Sequence, residues 1–102
     1  MRGLRDLREV LADEVGAVLL ELGAHGKDVR RARSLVRHGS DASLRTARVV
    51  LWSDGTAGVL ADVGGAPVRR SGAVVEKQID LLTFAREAGR AGRAREGVRK
   101  NG

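Results

Sequence analysis

The stretch from Leu44 to Val63 constrains the fold most, because its pattern is typical of a β-hairpin. Two runs rich in β-branched and aliphatic residues flank the dipeptide Asp54-Gly55. A two-residue type I′ turn needs positive φ at both central positions, and Gly adopts such a φ without steric cost. The sequence therefore predicts two antiparallel strands joined by a tight turn at Asp54-Gly55.

That turn predicts a register in which both faces of the hairpin are apolar. Trp52 would lie opposite Ala57, and Val50 opposite Val59. A sheet with one solvated face alternates apolar and polar side chains, so two apolar faces both need cover. We expect helices to cover one face and a second subunit or a partner to contact the other, through the interface residues Val50, Trp52 and Val59.

Amphipathic helices are predicted on either side of the hairpin. Apolar residues recur every three or four positions from Leu4 to Leu22, and Gly23 follows where a left-handed C-cap is expected. A second stripe of this kind runs from Ala73 to Ala88, with Ser71 or Gly72 at its start. Both segments should pack their apolar stripes against the sheet.

The segment Lys27 to His38 is predicted to be a shorter helix. Three of its apolar positions repeat at helical spacing, and the glycine that follows His38 suits a helix end. An edge strand remains an alternative for this segment. We expect a loop from Gly39 to Ser43 and a short third strand at Val68 to Arg70.

These elements predict an α+β fold, in which a small antiparallel sheet built on a central β-hairpin is flanked by N- and C-terminal amphipathic helices. A chain of 102 residues is expected to form one domain. We assign residues 1–88 to a single α+β domain. Residues 89–102 form a basic Gly/Arg-rich tail that is too poor in large apolar side chains to order itself, so we expect it to be flexible.

The charge balance favours an anionic partner. The chain has 19 basic and 13 acidic residues, which gives a formal net charge of +6. Such a balance attracts nucleic acid or an acidic protein, and Arg suits phosphate because its guanidinium donates two parallel hydrogen bonds. A solvated basic surface without a ligand is the alternative. The predicted nucleic-acid-binding residues are Lys27, Arg30, Arg31, Arg33, Arg37, Arg90, Arg93 and Arg95.

Signals for chemistry are weak. Each histidine precedes an aspartate by three residues, as His25 with Asp28 and His38 with Asp41. Such pairs orient a base or hold a metal in some proteins, but two pairs of this kind arise by chance and no third ligand accompanies them. With no cysteine and no catalytic or cofactor motif, we expect a non-enzymatic protein without metal or cofactor.

The N-terminal segment lacks the layout of a signal peptide, and no apolar run approaches the roughly 20 residues of a membrane span, so we expect a cytoplasmic protein. The order of helix, basic segment, hairpin and helix resembles that of small nucleoid-associated proteins, in which terminal helices flank a sheet and the chain dimerises. This resemblance is topological and transfers no site residue.

The sequence therefore predicts a small, basic, homodimeric domain that binds DNA or RNA non-specifically. The alternative is a protein-protein interaction module, such as an adaptor, an immunity protein or a phage-structural component, that docks a partner through the hairpin face.

Overall fold

The computed structural model describes the backbone of residues 4–61 and 72–101 and the side chains of residues 7–61 and 72–91. It confirms the α+β class, with an antiparallel sheet built on the hairpin and helices flanking it. The strand order is β2-β1-β3, and β1 pairs with both neighbours in antiparallel orientation. The elements are α1 (Leu4–Glu21), α2 (Gly26–His38), α3 (Asp41–Thr46), β1 (Arg48–Trp52), β2 (Ala57–Leu60), β3 (Val75–Asp80) and α4 (Leu81–Asn101).

The first two helices form an antiparallel pair, and both were predicted. Gly23 adopts a φ of 87°, and the Ala24 N–H donates to the Leu19 carbonyl over 2.9 Å, which is the hydrogen-bond pattern of a Schellman C-cap. This confirms Gly23 as the end of α1. The segment from Lys27 to His38 is helical, so the edge-strand alternative is wrong.

The main core lies between the helices and one face of the sheet. Gly16 of α1 lets α2 approach closely, because a Cβ there would lie 2.9 Å from Cδ of Arg33 and 3.4 Å from Cγ1 of Val29. None of the described helices is long and apolar enough to cross a membrane. The buried residues of this core include Val15 and Leu19 from α1, Val29, Ala32 and Val36 from α2, Val49 and Val59 from the hairpin, and Leu81 and Ala85 from α4.

The predicted turn type of the hairpin was wrong, and the predicted register was shifted by one residue. The Trp52 N–H donates to the Thr56 carbonyl over 2.8 Å, so the loop has three residues, Ser53 to Gly55. Only Gly55 has a positive φ in this loop, whereas a type I′ turn would require one at Asp54 too. Instead, Oδ1 of Asp54 accepts hydrogen bonds from the Thr56 N–H at 3.0 Å and the Thr56 hydroxyl at 2.6 Å. An Asp side chain that accepts from the backbone N–H two residues later favours the longer loop.

This shift changes which residues share a face. Val49 lies opposite Val59, and Val50 lies opposite Gly58. Val59 therefore faces the helices rather than lying beside Trp52, as the predicted register required. Val50 and Trp52 form a second buried cluster with Ala73 on the other face, and Leu60 and Val75 pack against it.

The predicted start of the C-terminal helix at Ala73 was also wrong. Residues Val75–Asp80 form β3, and the helix begins at Leu81. Val75 and Ile79 are four residues apart, a spacing that resembles a helical stripe, but β-branched residues also suit a strand beside β1. The true start is marked by Asp80, whose Oδ2 accepts a hydrogen bond from the Thr83 N–H over 2.9 Å.

One further expectation for a connecting segment differs from the structure. The predicted loop from Gly39 to Ser43 contains the start of α3, because Oγ of Ser40 accepts a hydrogen bond from the Ser43 N–H over 3.1 Å and caps that helix. Helix α4 extends to Asn101, and the predicted division into a domain of residues 1–88 and a tail of residues 89–102 stays a prediction. The proposed strand at Val68 to Arg70 lies outside the described residues.

Asp80 should stabilise the fold in a pH-dependent way. Hydrogen bonds from the Thr83 N–H and hydroxyl hold the pKa of Asp80 below its usual value, with a smaller contribution from Arg48. Stability from a lowered pKa is present above the unfolded-state pKa of about 3.9 and is lost as the pH falls through the folded-state pKa. We expect Asp80→Ala to lower the free energy of unfolding by about 1 kcal/mol at pH 7.

This difference from the wild type should shrink as the pH falls below about 4, and denaturant unfolding across the pH range measures it. The control is Asp41→Ala, which removes an exposed acid from the first turn of α3. A loss for Asp80→Ala that is constant across the pH range would contradict the capping role.

Gly58 should be required for the buried position of Trp52. A Cβ at residue 58 would lie 2.7 Å from Nε1 of Trp52 and 3.4 Å from Oδ2 of Asp28. We expect Gly58→Ala to displace the indole, to change its fluorescence and to lower the free energy of unfolding by roughly 1 to 3 kcal/mol. Gly55→Ala is the control, because a Cβ there meets no atom within 4 Å and only the positive φ is strained. Unchanged fluorescence and stability in Gly58→Ala would contradict this packing.

Candidate nucleic-acid interface

Helix α2 carries the highest density of positive charge among the described elements. Its sequence contains five Lys or Arg residues and one acid, Asp28. The apolar stripe of Val29, Ala32 and Val36 is buried against the core. The cationic side chains lie outside this stripe and divide into two groups, one that contacts α1 and one that is exposed.

The first group, Arg33 and Arg37, faces α1 and is paired with Asp13. Nη2 of Arg33 donates to Oδ1 of Asp13 over 2.8 Å, and Nη2 of Arg37 lies 3.8 Å from the same oxygen. Both side chains are about one-third exposed, and Nε of each is buried without a hydrogen-bond partner. These two predicted binding residues thus serve the contact between α1 and α2, and their charge is partly neutralised.

Arg8, near the N-terminal end of α1, also contacts the end of α2. Its Nη1 donates to the Gly39 carbonyl over 2.9 Å and lies 3.4 Å from the Arg37 carbonyl. A guanidinium at this position satisfies carbonyls that the end of α2 leaves without helical partners. Arg8 also lines an open cleft of about 500 Å³ with Glu9, Arg37 and His38.

No pattern in the sequence singles out Arg8 as a contact of α2. Residues 8 and 39 are 31 positions apart, and no spacing pattern connects them. Only the antiparallel pairing of the two helices brings them together.

The second group is exposed and comprises Lys27, Arg30 and Arg31, which we call the α2 cationic face. Nη1 of Arg31 donates to the Val59 carbonyl on the outer edge of β2 over 3.3 Å, and its side chain nevertheless remains exposed. Within the part of the chain that the structure describes, Lys27 and Arg30 form no ion pair and no side-chain hydrogen bond. These three cations are available to a ligand.

The predicted C-terminal residues are separate from this face. Arg90 is exposed on α4, and its Nη1 lies 3.7 Å from Oε1 of Glu87. An exposed pair of this kind is weak, so Arg90 stays accessible. Arg93 and Arg95 lie outside the residues whose side chains are described.

The predicted interface residues are buried within a single chain. Val50 is 0% exposed, Trp52 6% and Val59 1%, and Val59 faces the helices. Together they present no surface on which a partner or a nucleic-acid base could lie. Dimerisation of the chain therefore stays a prediction, without an exposed site at these residues to support it.

The two His-Asp pairs lie at the ends of α2. His25 is the N-cap residue of α2 and makes no capping hydrogen bond through its side chain, while Asp28 lies in the first turn. His38 ends α2, and Asp41 begins α3. Among the described residues, no group of three or more His, Cys, Asp or Glu side chains is placed to hold a metal ion.

Comparison with known proteins finds no matching family model, no similar curated protein and no similar solved structure. The resemblance of the element order to small nucleoid-associated proteins therefore gains no support from these comparisons.

The contact between Asp13 and Arg33 should add little to stability, because Asp13 is 63% exposed. We expect a double-mutant cycle of Asp13→Asn and Arg33→Met to give a coupling free energy of about 1 kcal/mol or less, and lower at high salt. Met keeps the apolar part of the side chain against Gly16 while removing the charge. Denaturant unfolding measures the cycle, and a coupling of several kcal/mol that salt leaves unchanged would contradict this expectation.

Proposed function

We propose that this chain is a non-enzymatic domain that binds nucleic acid without sequence specificity, through the α2 cationic face. The observation that carries this proposal is the exposure of Lys27, Arg30 and Arg31 on one helix, with no described acid paired to Lys27 or Arg30. The surplus of six positive charges over the whole chain supports attraction to a polyanion at longer range.

The geometry of the face suits a phosphate backbone. Lys27 and Arg31 are one helical turn apart, or about 6 Å along the axis, and Arg30 lies beside them. Duplex nucleic acid presents one negative charge per roughly 1.7 Å of its axis, so several phosphates come within reach of these three side chains. Contacts of this kind position a protein on nucleic acid but do not read its bases.

The proposed interface is narrower than the predicted set of residues. Arg33 and Arg37 share the carboxylate of Asp13, and the Arg33 guanidinium is engaged by it at hydrogen-bond distance. We therefore assign them to the packing of α1 against α2 rather than to phosphate. Arg90 belongs to a different helix and contributes only to the electrostatic field of the whole chain.

The burial of Trp52 removes the observation that favoured a protein-interaction module docking through the hairpin face. Among the described residues of that face, no other feature supports the alternative.

The test compares two variants with the same change in charge. The first combines Lys27→Gln, Arg30→Gln and Arg31→Gln. The control combines Lys77→Gln, Arg45→Gln and Arg86→Gln, which also removes one Lys and two Arg from exposed positions, but outside α2. Affinity for duplex DNA and duplex RNA is measured by fluorescence anisotropy across a range of salt concentrations, and circular dichroism confirms that each variant is folded.

We expect the α2 variant to lose most of its affinity, because each phosphate contact contributes about 0.9 to the slope of log affinity against log salt for duplex DNA. Loss of three contacts should make that slope shallower by about 2.7. The control should keep the wild-type slope. Equal losses in both variants would assign binding to net charge alone, and absence of salt-dependent binding by the wild type would refute the proposal.

A further inference from the structure

An apolar groove of about 240 Å³ lies beside β1 and β3, and none of its lining residues belongs to the α2 cationic face. Its floor is the helix-facing side of β1 and β3, formed by Val49, Leu51 and Ile79. Leu22, just after α1, and Phe84, in the first turn of α4, form its walls. Leu22 remains 36% exposed, so the groove opens to solvent.

The groove exists because the two helices that flank it leave part of the sheet uncovered. Leu51, Ile79 and Phe84 are only half-buried, although Leu81 beside them is fully buried. Apolar surface left in contact with water costs about 25 cal/mol per Å², so a ligand that covers this floor gains the corresponding free energy. The groove is therefore a favourable site for an apolar group.

Among the described residues that line this groove, one is cationic. Lys77 lies opposite Leu51 in the β1–β3 pairing, which places it on the helix-facing side of the sheet, and it is exposed. Among the described residues Lys77 has no ion-pair partner, and the other polar lining residue is the neutral Gln78. A site with an apolar floor and a single ammonium group complements a ligand with an apolar body and one negative charge.

The dimensions and the neighbouring strand argue against a macromolecule. A docked amphipathic helix needs anchors spread over two turns, or about 10 Å, whereas the apolar floor of this groove consists of three side chains, Val49, Leu51 and Ile79. Addition of a further strand beside β3 is disfavoured for two reasons. The pairing of β3 with β1 is irregular near Trp52, and β3 carries two exposed charged residues, Glu76 and Lys77. Natural edge strands avoid unwanted pairing through such bulges and charges.

We propose that the groove binds a small monocarboxylate, with its acyl chain or aryl group on Leu51, Ile79 and Phe84 and its carboxylate on the ammonium group of Lys77. This site is separate from the α2 cationic face, and its occupation does not depend on nucleic-acid binding.

The test is a titration of the isotope-labelled full chain with butyrate, hexanoate, octanoate and octanol below their aggregation limits, followed by ¹H–¹⁵N chemical shifts. Affinity should rise by up to about fourfold per added methylene until the groove is filled. Octanoate should bind about fivefold more tightly than octanol, because only the acid meets Lys77. Saturable shifts should occur at Leu51, Lys77, Ile79 and Phe84, and not at Lys27 or Arg30.

Matched variants separate the groove from general apolar or charge effects. Leu22→Asp places a like charge at the mouth of the groove and should abolish octanoate binding, whereas Leu20→Asp, at a more exposed position outside the groove, should not. Lys77→Gln should remove the preference for octanoate over octanol, Lys77→Arg should restore it, and Lys27→Gln should leave it unchanged.

Several results would overturn the proposal. These are the absence of saturable shifts for octanoate, equal affinity for octanoate and octanol, or equal losses in Leu20→Asp and Leu22→Asp. Because nucleic-acid binding is measured by fluorescence anisotropy and octanoate binding by chemical shifts, failure of this proposal leaves the proposed function standing, and the reverse is also true.

Discussion

The position of β1 between two antiparallel neighbours is the constraint on which the rest of the structure depends. Its side chains alternate, so Val49 and Leu51 face the helices while Val50 and Trp52 face the other way. A shift of one residue in its pairing would turn every side chain of the partner strand to the opposite face of the sheet. The loop from Ser53 to Gly55 decides the register, because Asp54 caps Thr56 and only Gly55 takes a positive φ.

The second organising contact is the close approach of α1 and α2. Gly16 leaves room for the side chain of Arg33, and Asp13 then meets the guanidinium of that residue. Arg8 completes the contact at the far end by donating to the carbonyl of Gly39. As a result, α2 presents Lys27, Arg30 and Arg31 outward while its other two arginines help to hold the helix pair, and packing selects which charges remain available to a ligand.

Sequence reasoning succeeded where the signal is local. The helical stripes of α1 and α2 and the left-handed glycine after α1 depend on residues close in the chain, and the structure confirms them. It failed where two local patterns compete. Val75 and Ile79 fit both a helix and a strand, and the neighbouring β1 decides for the strand. The dipeptide Asp54-Gly55 fits both a two-residue and a three-residue loop. Taken alone, it predicted the two-residue loop, which is wrong.

By itself, the sequence determined the α+β class, the first two helices, the presence of a hairpin and the concentration of positive charge on α2, because each follows from periodicity, turn chemistry or composition within a short segment. Only the tertiary structure decided the burial of Trp52, the pairing of Arg33 with Asp13 and the groove beside Lys77. Those features join residues that are distant in the chain, and their geometry depends on strand register and helix packing, which local patterns do not specify.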